Sequence, residues 1–397
     1  MSTPDYNRGF STRLTRLAKH FPAVVLTGAR QTGKTTLLRE CFPDHTYVSL
    51  DLPGDAQLAE EDPAAFLLRY PPPLIVDEVQ YAPGLFRHLK AAIDQKRQAH
   101  GRFILTGSQK FTLMKEVSDS LAGRVALLEL ETLAVSELAE TFHAERKRMG
   151  LAAVLARGFF PALWADLELP RADFYRSYLA TYIERDVRQI LNIGSLRDFD
   201  RFMRVCATRT GQVVNKTDIA KDVGVSPKTI HEWLSVLQAS NQLLLLEPYF
   251  ANPGKRIVKS PKLYFADCGL ACFLLGLDET SLPESPSYGA IWETFVYAEL
   301  RKAIAFHRPD AALWYYRDQQ VEVDFIIACG GKLHLAEAKS RALPNARDFQ
   351  SADKVRPYYR TASPTTRVIA PAEHGYPFSA HQRVVSGFEI EALLKGL

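Results

Sequence analysis

Gly28-Ala29-Arg30-Gln31-Thr32-Gly33-Lys34-Thr35-Thr36 reads G-x-x-x-x-G-K-[ST], a spacing of residue types suited to holding phosphate. The glycines let the backbone fold its N–H groups around phosphate oxygens. The N-terminus of a following helix adds a favourable dipole. Lys34 is expected to reach the β- and γ-phosphates and Thr35 to hold Mg²⁺. The neighbours supply the strand–loop–helix frame that the pattern needs. Val24-Val25-Leu26 is a short apolar run before the loop, and Thr35 to Glu40 has helical spacing after it.

Leu74-Ile75-Val76-Asp77-Glu78 answers the first motif. Three β-prone apolar residues end in two acids, which places the carboxylates at the C-terminal tip of a buried parallel strand. Ligands of open α/β sheets bind at that edge. Asp77 is expected in the Mg²⁺ shell, and Glu78 as the base that polarises an attacking water. A third strand, Arg102 to Gln109, also ends in polar residues. Ser108, with Gln109 next, is the candidate to sense the γ-phosphate. Arg124, in Ser120-Leu121-Ala122-Gly123-Arg124, reads either as an arginine finger given to a neighbouring subunit or as a solvated surface residue.

A second constellation lies near the C-terminus. Val321 to Ile327 and Leu333 to Lys339 read as two strands joined by the turn Ala328-Cys329-Gly330-Gly331. Period-two geometry puts Glu322 with Asp324 on one face and Glu337 with Lys339 on one face. Glu293 lies on a helical segment upstream and could approach them. Carboxylates in this number suit Mg²⁺, which prefers hard oxygen ligands. A solvated charged hairpin fits the same letters.

The order GARQTGKTT, LIVDE, LTGSQ, SLAGR resembles the AAA+ ATPases, in particular a prokaryotic family in which an AAA+ core precedes a further C-terminal domain. Gly158-Phe159-Phe160-Pro161, Tyr182 to Val187, Val321 to Asp324 and Glu337-Ala338-Lys339 are similar to that family too, so the likeness spans nearly the whole chain. It implies ATP with Mg²⁺ as cofactors and adenine rather than guanine as the base. The C-terminal pattern resembles the PD-(D/E)xK nuclease fold. That resemblance implies Glu293, Asp324 and Glu337 as metal ligands, and Lys339 as the residue that orients water or stabilises the transition state. Such a fold serves either as a metal-dependent nuclease or as a binding module alone.

The elements that must position these residues fall into three regions. Residues 1–145 alternate strand and helix signals, an α/β pattern that predicts a parallel sheet with flanking helices. Residues 146–250 read as a helical and winged-helix domain, and 251–397 as the nuclease-like α/β domain. In the middle region Phe174, Tyr178, Leu179, Tyr182, Ile183, Val187, Ile190 and Leu191 make one apolar stripe, with Glu184, Arg185, Asp186 and Arg188 beside it. Arg185 is either a surface residue or one that faces nucleotide. Asn215 to Leu237 reads as helix-turn-helix, with Gly224 in the turn and Ser226-Pro227 capping the second helix. That second helix offers Lys228, Thr229, His231 and Glu232, and only Lys228 is firmly cationic, so it reads either as a DNA reader or as a packing module.

Composition narrows the field. A hydrophobic fraction of 47% with 24% charged residues belongs to a globular chain of 397 residues, long enough for two or three cores. No window approaches the roughly 20 apolar residues of a membrane span, and the N-terminus has no apolar leader. The five cysteines lack metal or disulfide spacing, and a reducing cytoplasmic setting fits. Net charge is only +4, yet residues 171–262 carry 15 Lys/Arg against 9 Asp/Glu. A basic middle suits an anionic partner, DNA ahead of RNA. Two readings follow: an ATPase coupled to binding or cutting nucleic acid, or a nucleotide-gated protein that recognises a protein partner. A homo-oligomer would give Arg124 a purpose.

Overall fold

The computed structural model describes residues 6, 8–108, 113, 117, 119–182, 196–249 and 260–397. Gln109, Ile183 to Leu191 with Arg185 among them, and 251–256, the first residues of the expected last region, lie outside the described residues.

The first region runs α1 (Phe10–Ala18), β1 (Ala23–Thr27), α2 (Lys34–Cys41), β2 (Thr46–Ser49), α3 (Pro53–Glu61), α4 (Pro63–Arg69), β3 (Leu74–Asp77), α5 (Leu85–Gln95), β4 (Phe103–Gly107) and β5 (Val125–Glu129). The strands form a five-stranded sheet in the order β2-β3-β4-β1-β5, and every pairing in it is parallel. β1, β3 and β4 are buried along their whole lengths, as continuous apolar runs in a covered parallel sheet require. The register Thr27↔Gly107 aligns the C-terminal tips of β1 and β4, and Val76↔Leu105 brings β3 alongside.

The middle region begins with α6 (Val135–Met149), α7 (Leu151–Arg157), α8 (Pro161–Ala165), α9 (Arg171–Tyr182) and α10 (Leu196–Ala207). β6 (Gln212–Val213), α11 (Lys216–Val223), α12 (Pro227–Ala239), β7 (Leu243–Leu246) and β8 (Lys262–Phe265) follow, then α13 (Cys268–Leu275). Asn215 caps α11 through Thr217 N and Asp218 N, and Gly224 ends it at φ +88. Ser226 caps α12 through Thr229 N, with Pro227 in the first turn. β6, β8 and β7 form a three-stranded antiparallel sheet. The expected boundary at 250 falls inside that sheet. β8 lies beyond the boundary, yet its ladder bonds go to β6 and β7 rather than to the strands that follow it.

The last region holds α14 (Tyr288–His307), β9 (Ala312–Arg317), β10 (Glu322–Cys329), β11 (Lys332–Ala338), α15 (Gln350–Val355), β12 (Thr366–Ala370), β13 (Tyr376–Ser379), β14 (Gln382–Ser386) and α16 (Ile390–Lys395). A mixed six-stranded sheet orders them β13-β14-β12-β11-β10-β9. β10 and β11 are the expected hairpin, but β10 continues to Cys329 and the turn shrinks to Gly330-Gly331, both at positive φ. Two glycines in the left-handed region match the right-handed twist of the flanking strands. One hydrophobic core joins the middle and last regions, with Phe159, Tyr264, Trp292, Phe295 and Phe325 among its buried residues. Among the described residues, no helix is long and apolar enough to cross a membrane.

Candidate functional site

The phosphate loop spans the gap between β1 and α2. Gly28 is required by crowding: a Cβ there would sit 2.3 Å from Leu130 O, and Leu130, the residue after β5, is held to the tip of β1 by its N donating to Thr27 O at 2.8 Å. Gly33, at φ +91, opens α2 in the left-handed region. Between them Ala29 and Thr32 are buried, and Thr32 Oγ1 donates to Ala29 O at 2.9 Å. Arg30 is half-buried, and Gln31 is exposed at φ +60. Lys34 is buried, with Nζ 2.9 Å from both Gly28 O and Ala29 O, so its charge lies inside the loop. Thr36 faces outward from the first turn of α2.

Thr35 Oγ1 donates to Asp77 Oδ2 at 2.9 Å. The two residues expected around Mg²⁺ therefore meet between the first turn of α2 and the tip of β3. Tyr47, which the sequence reading did not single out, donates to the same carboxylate oxygen at 2.5 Å. Burial and then Asp77 push the Tyr47 phenol up to about 12, so it stays a donor. The hydroxyl and the carboxylate are hard oxygens of the kind Mg²⁺ takes, and the lysine supplies positive charge of the kind nucleotide phosphates take. These residues fit that cofactor.

Glu78 follows Asp77 in the left-handed region at φ +55. Its Oε2 accepts from Ser108 N at 3.3 Å, from Ser108 Oγ at 3.1 Å and from Gln80 Nε2 in a short contact. The expected base and the expected sensor thus meet at the tips of β3 and β4. Gln80 was not foreseen, although Gly107 signals it: a Cβ at Gly107 would meet Gln80 Oε1 at 2.1 Å.

Arg124 does not join this site in its own chain. It precedes β5 at the N-terminal edge of the sheet, and a strand of this length puts it about 16 Å from the loop edge. There it grips Asp94 through Nε–Oδ1 at 2.8 Å and Nη2–Oδ2 at 3.0 Å. This planar fork-to-fork pair holds the Asp94 carboxyl below its ordinary range.

Arg8 is the larger omission. It is buried, and it donates from Nη1 to Thr32 O at 2.8 Å, from Nη2 to Glu131 O at 2.8 Å and from Nε to Glu137 Oε1 at 3.0 Å. It ties the phosphate loop to the segment after β5. Its only sequence signal is an arginine two residues before the first apolar position of α1. Tyr6, Arg8, Thr36, Glu40 and Pro161 line a pocket of about 150 Å³ beside Gly33. Pro161 belongs to Gly158-Phe159-Phe160-Pro161, and that turn is fixed from below. Buried Asp267 accepts from Phe159 N at 2.7 Å and from Tyr175 Oη at 2.7 Å while it caps α13 through Leu270 N. A Cβ at Gly158 would meet both Tyr175 Oη and Asp267 Oδ1.

At the other end of β8 lies the second constellation. Glu293 from α14, Asp324 from β10, and Glu337 and Lys339 at the end of β11 come together. Lys339 Nζ lies 2.9 Å from Glu337 and 3.5 Å from Asp324. The register between β10 and β9 shifts between Val323 and Ile326, and such a bulge re-aims the Asp324 side chain. What the sequence reading did not foresee is Lys262. Its ammonium is 1% exposed, and lies 2.9 Å from Glu293, 2.5 Å from Glu322 and 3.3 Å from Asp324. Burial opposes its charge, but Glu293, Asp324 and Glu322 raise its pKa well above the ordinary lysine range. Burial pushes the Glu293 carboxyl up, with Asp324 adding to the shift. Burial also acts on Asp324, but Lys262 and Lys339 hold it below its ordinary value. The signal in sequence was a lysine two residues before Tyr264 in an otherwise apolar strand. Tyr264 shares its face and donates to Glu293 at 2.6 Å. Among the described residues, no group of His, Cys, Asp and Glu is arranged to hold a metal ion. The carboxylates expected to be ligands are spent on ammonium groups, and this site does not fit a metal as it stands.

The parallel sheet, the glycine-bounded loop and the Thr35–Asp77 pair define a nucleotide-binding core of the AAA type. Residues 20–139 match the AAA domain family. Residues 148–281 and 288–388 match two domains of unknown function, DUF8612 and DUF4143. The chain belongs to the same family as the uncharacterized protein Rv2008c of Mycobacterium tuberculosis, to which it is 33% identical over 98% of its own length and 87% of the relative's. The uncharacterized protein Mb2031c of Mycobacterium bovis matches over the same shares at the same identity. Among solved structures, the Walker-type ATPase PABY2304 of Pyrococcus abyssi aligns with 68% of this chain and 95% of its own, at 14% identity and a TM-score of 0.47.

Proposed function

We propose that this protein binds ATP with Mg²⁺, hydrolyses it, and uses the nucleotide state to set how its middle and C-terminal regions engage a partner. The observation that carries the reading is the Thr35–Asp77 hydrogen bond beside the Glu78–Ser108 pair. These four side chains meet at one sheet edge, which supports reading them as a cation shell, a base and a sensor. In this reading the Gly28 to Thr36 loop and Lys34 hold the phosphates, Thr35 and Asp77 hold Mg²⁺, and the pocket of Tyr6, Arg8 and Pro161 takes the base. Bound Mg²⁺ supplies neutralisation of phosphate charge. Glu78 orients and deprotonates water, with Ser108 fixing its carboxylate. Arg8 and Pro161 touch the loop from the N-terminal segment and the middle region, which gives nucleotide exchange a physical route outward. Arg124 has a role only if a neighbouring chain presents its loop to it.

The C-terminal region is read as a module that binds without cutting, because Lys262 and Lys339 already pair with its carboxylates. DNA ahead of RNA is the partner class proposed, supported by the basic surplus of residues 171–262 and by exposed Lys216, Lys228 and His231 on α11 and α12. Phosphate release from ATP and Mg²⁺ tests the core. Wild-type protein should turn over and Lys34→Ala should not. Equal turnover by the variant would remove the phosphate loop from the mechanism.

A further inference from the structure

We propose that the ammonium of Lys262 takes the place of a divalent cation among Glu293, Glu322 and Asp324, beside Glu337, so that the protein carries a latent metal site which opens only when that ammonium is removed. The inference deepens the reading of the C-terminal region as a module that binds without cutting. The carboxylates come from three elements: Glu293 from α14, Glu322 and Asp324 from β10, and Glu337 from the end of β11. Such convergence of acids from separate elements is costly unless a cation compensates it. Lys262 is that cation. It reaches three carboxylates at 2.9, 2.5 and 3.3 Å with almost no exposure to water. Tyr264, two residues on and on the same face of β8, adds a neutral donor to Glu293.

The compensation is incomplete. Glu337 is buried beyond the reach of Lys262, its Oε1 has no hydrogen-bond partner, and burial, then Asp324, raise its carboxyl well above the ordinary range. An ammonium supplies three donors, and the distances to Glu293, Glu322 and Asp324 account for those of Lys262. A divalent ion would draw in all of these oxygens, but beside Lys262 it would meet a fixed positive charge at contact distance. Metal and ammonium therefore exclude each other. Lys262 is also not a mobile surface lysine. Its strand is hydrogen-bonded on both edges, to β6 and to β7, and it runs directly into Asp267, which holds the Phe159–Pro161 turn beside the phosphate loop.

The test uses full-length, nucleotide-free protein and Mn²⁺, with bound ion counted from the loss of free-Mn²⁺ electron paramagnetic resonance signal. Wild type and Asp324→Asn should bind Mn²⁺ identically. Lys262→Met should gain one ion per chain, at least tenfold tighter than any wild-type site, and lose it again in Lys262→Met/Asp324→Asn. Wild-type Mn²⁺ binding that Asp324→Asn abolishes overturns the inference, and so does folded Lys262→Met that binds no more Mn²⁺ than wild type. If Lys262→Met folds only with help, Mn²⁺ or methylammonium added during refolding should restore the native melting transition, and recovery with neither overturns the inference. Metal-dependent cleavage by wild type would instead overturn the reading of the region as a binding module, a separate outcome read in a separate assay.

Discussion

Arg8→Ala removes one half of a buried ion pair and one wall of the phosphate loop in a single change. The guanidinium and the Glu137 carboxylate have side-chain exposures of only 6% and 2%. Breaking a pair of this kind from one side costs about 3–5 kcal/mol, because the remaining charge is stranded. Glu137 keeps its bonds from Gly9 N at 2.7 Å and Ala134 N at 2.8 Å, which argues for the lower end, about 3 kcal/mol. With a urea dependence of about 1–3 kcal/mol per molar, the unfolding midpoint of the AAA core should fall by about 1–3 M. The same substitution frees Thr32 O from its charged donor. A charge-assisted bond is worth about 1.5–3 kcal/mol, so nucleotide affinity should fall roughly tenfold or more. Glu137→Gln separates the two effects. It lowers stability but leaves the bonds from Arg8 to Thr32 O and Glu131 O, so nucleotide affinity should hold. Urea titration followed by fluorescence, with a labelled nucleotide for binding, reads both quantities. An Arg8→Ala protein within 1 kcal/mol of wild type and equal in nucleotide affinity would refute the argument that Arg8 ties the loop in place.

Glu78→Gln should slow ATP hydrolysis by about 10²–10⁴-fold while nucleotide still binds, because the Thr35–Asp77 pair is untouched. Rapid turnover by that variant in a phosphate-release assay would place the base elsewhere. His334 gives a pH prediction. Burial, then Arg367, Lys332 and Arg308, hold its ring down to about 4 from an ordinary 6.5. The unfolded chain therefore takes up a proton first, and folded-state stability should fall as pH drops from 6.5 towards 4. His334→Leu should flatten that slope in thermal melts, and a slope equal to wild type would assign the acid sensitivity to other groups.

What the sequence made legible was local. The phosphate loop could be read because its glycines, lysine and threonine lie within nine residues, and their roles follow from one strand–loop–helix unit. Asp77, Glu78 and Ser108 could be read because each sits at a strand tip, and parallel strands bring tips together whatever their order. The hairpin gave Asp324, Glu337 and Lys339 for the same reason: a short turn fixes register. Arg8, Tyr47 and Lys262 were not legible, because each acts on a residue far along the chain, and nothing in its own neighbourhood announces the partner. Lys262 falls within the residues that read as the last region, 251–397, whereas the ladder bonds of its strand run to β6 and β7. Arg124 shows the converse. Its local motif suggested a role at phosphate, and a carboxylate thirty residues upstream, Asp94, holds it at the far edge of the sheet.

The first helix of the chain is completed by one of the last. Phe10 packs edge-on against Phe306 with ring centroids 5.1 Å apart, Gly9 lies directly against that ring, and Arg13 donates to Ala305 O at 2.7 Å. The nucleotide-binding core therefore cannot close its own outer layer when it is synthesised. At about 5–20 residues per second, residue 306 follows residue 10 by roughly 15–60 s. Over that interval Phe10 and the parallel sheet behind it stay partly uncovered on the ribosome. Timing of this kind makes the emergence of α14, rather than the end of the core's own sequence, the moment at which the ATP-binding region reaches its final form.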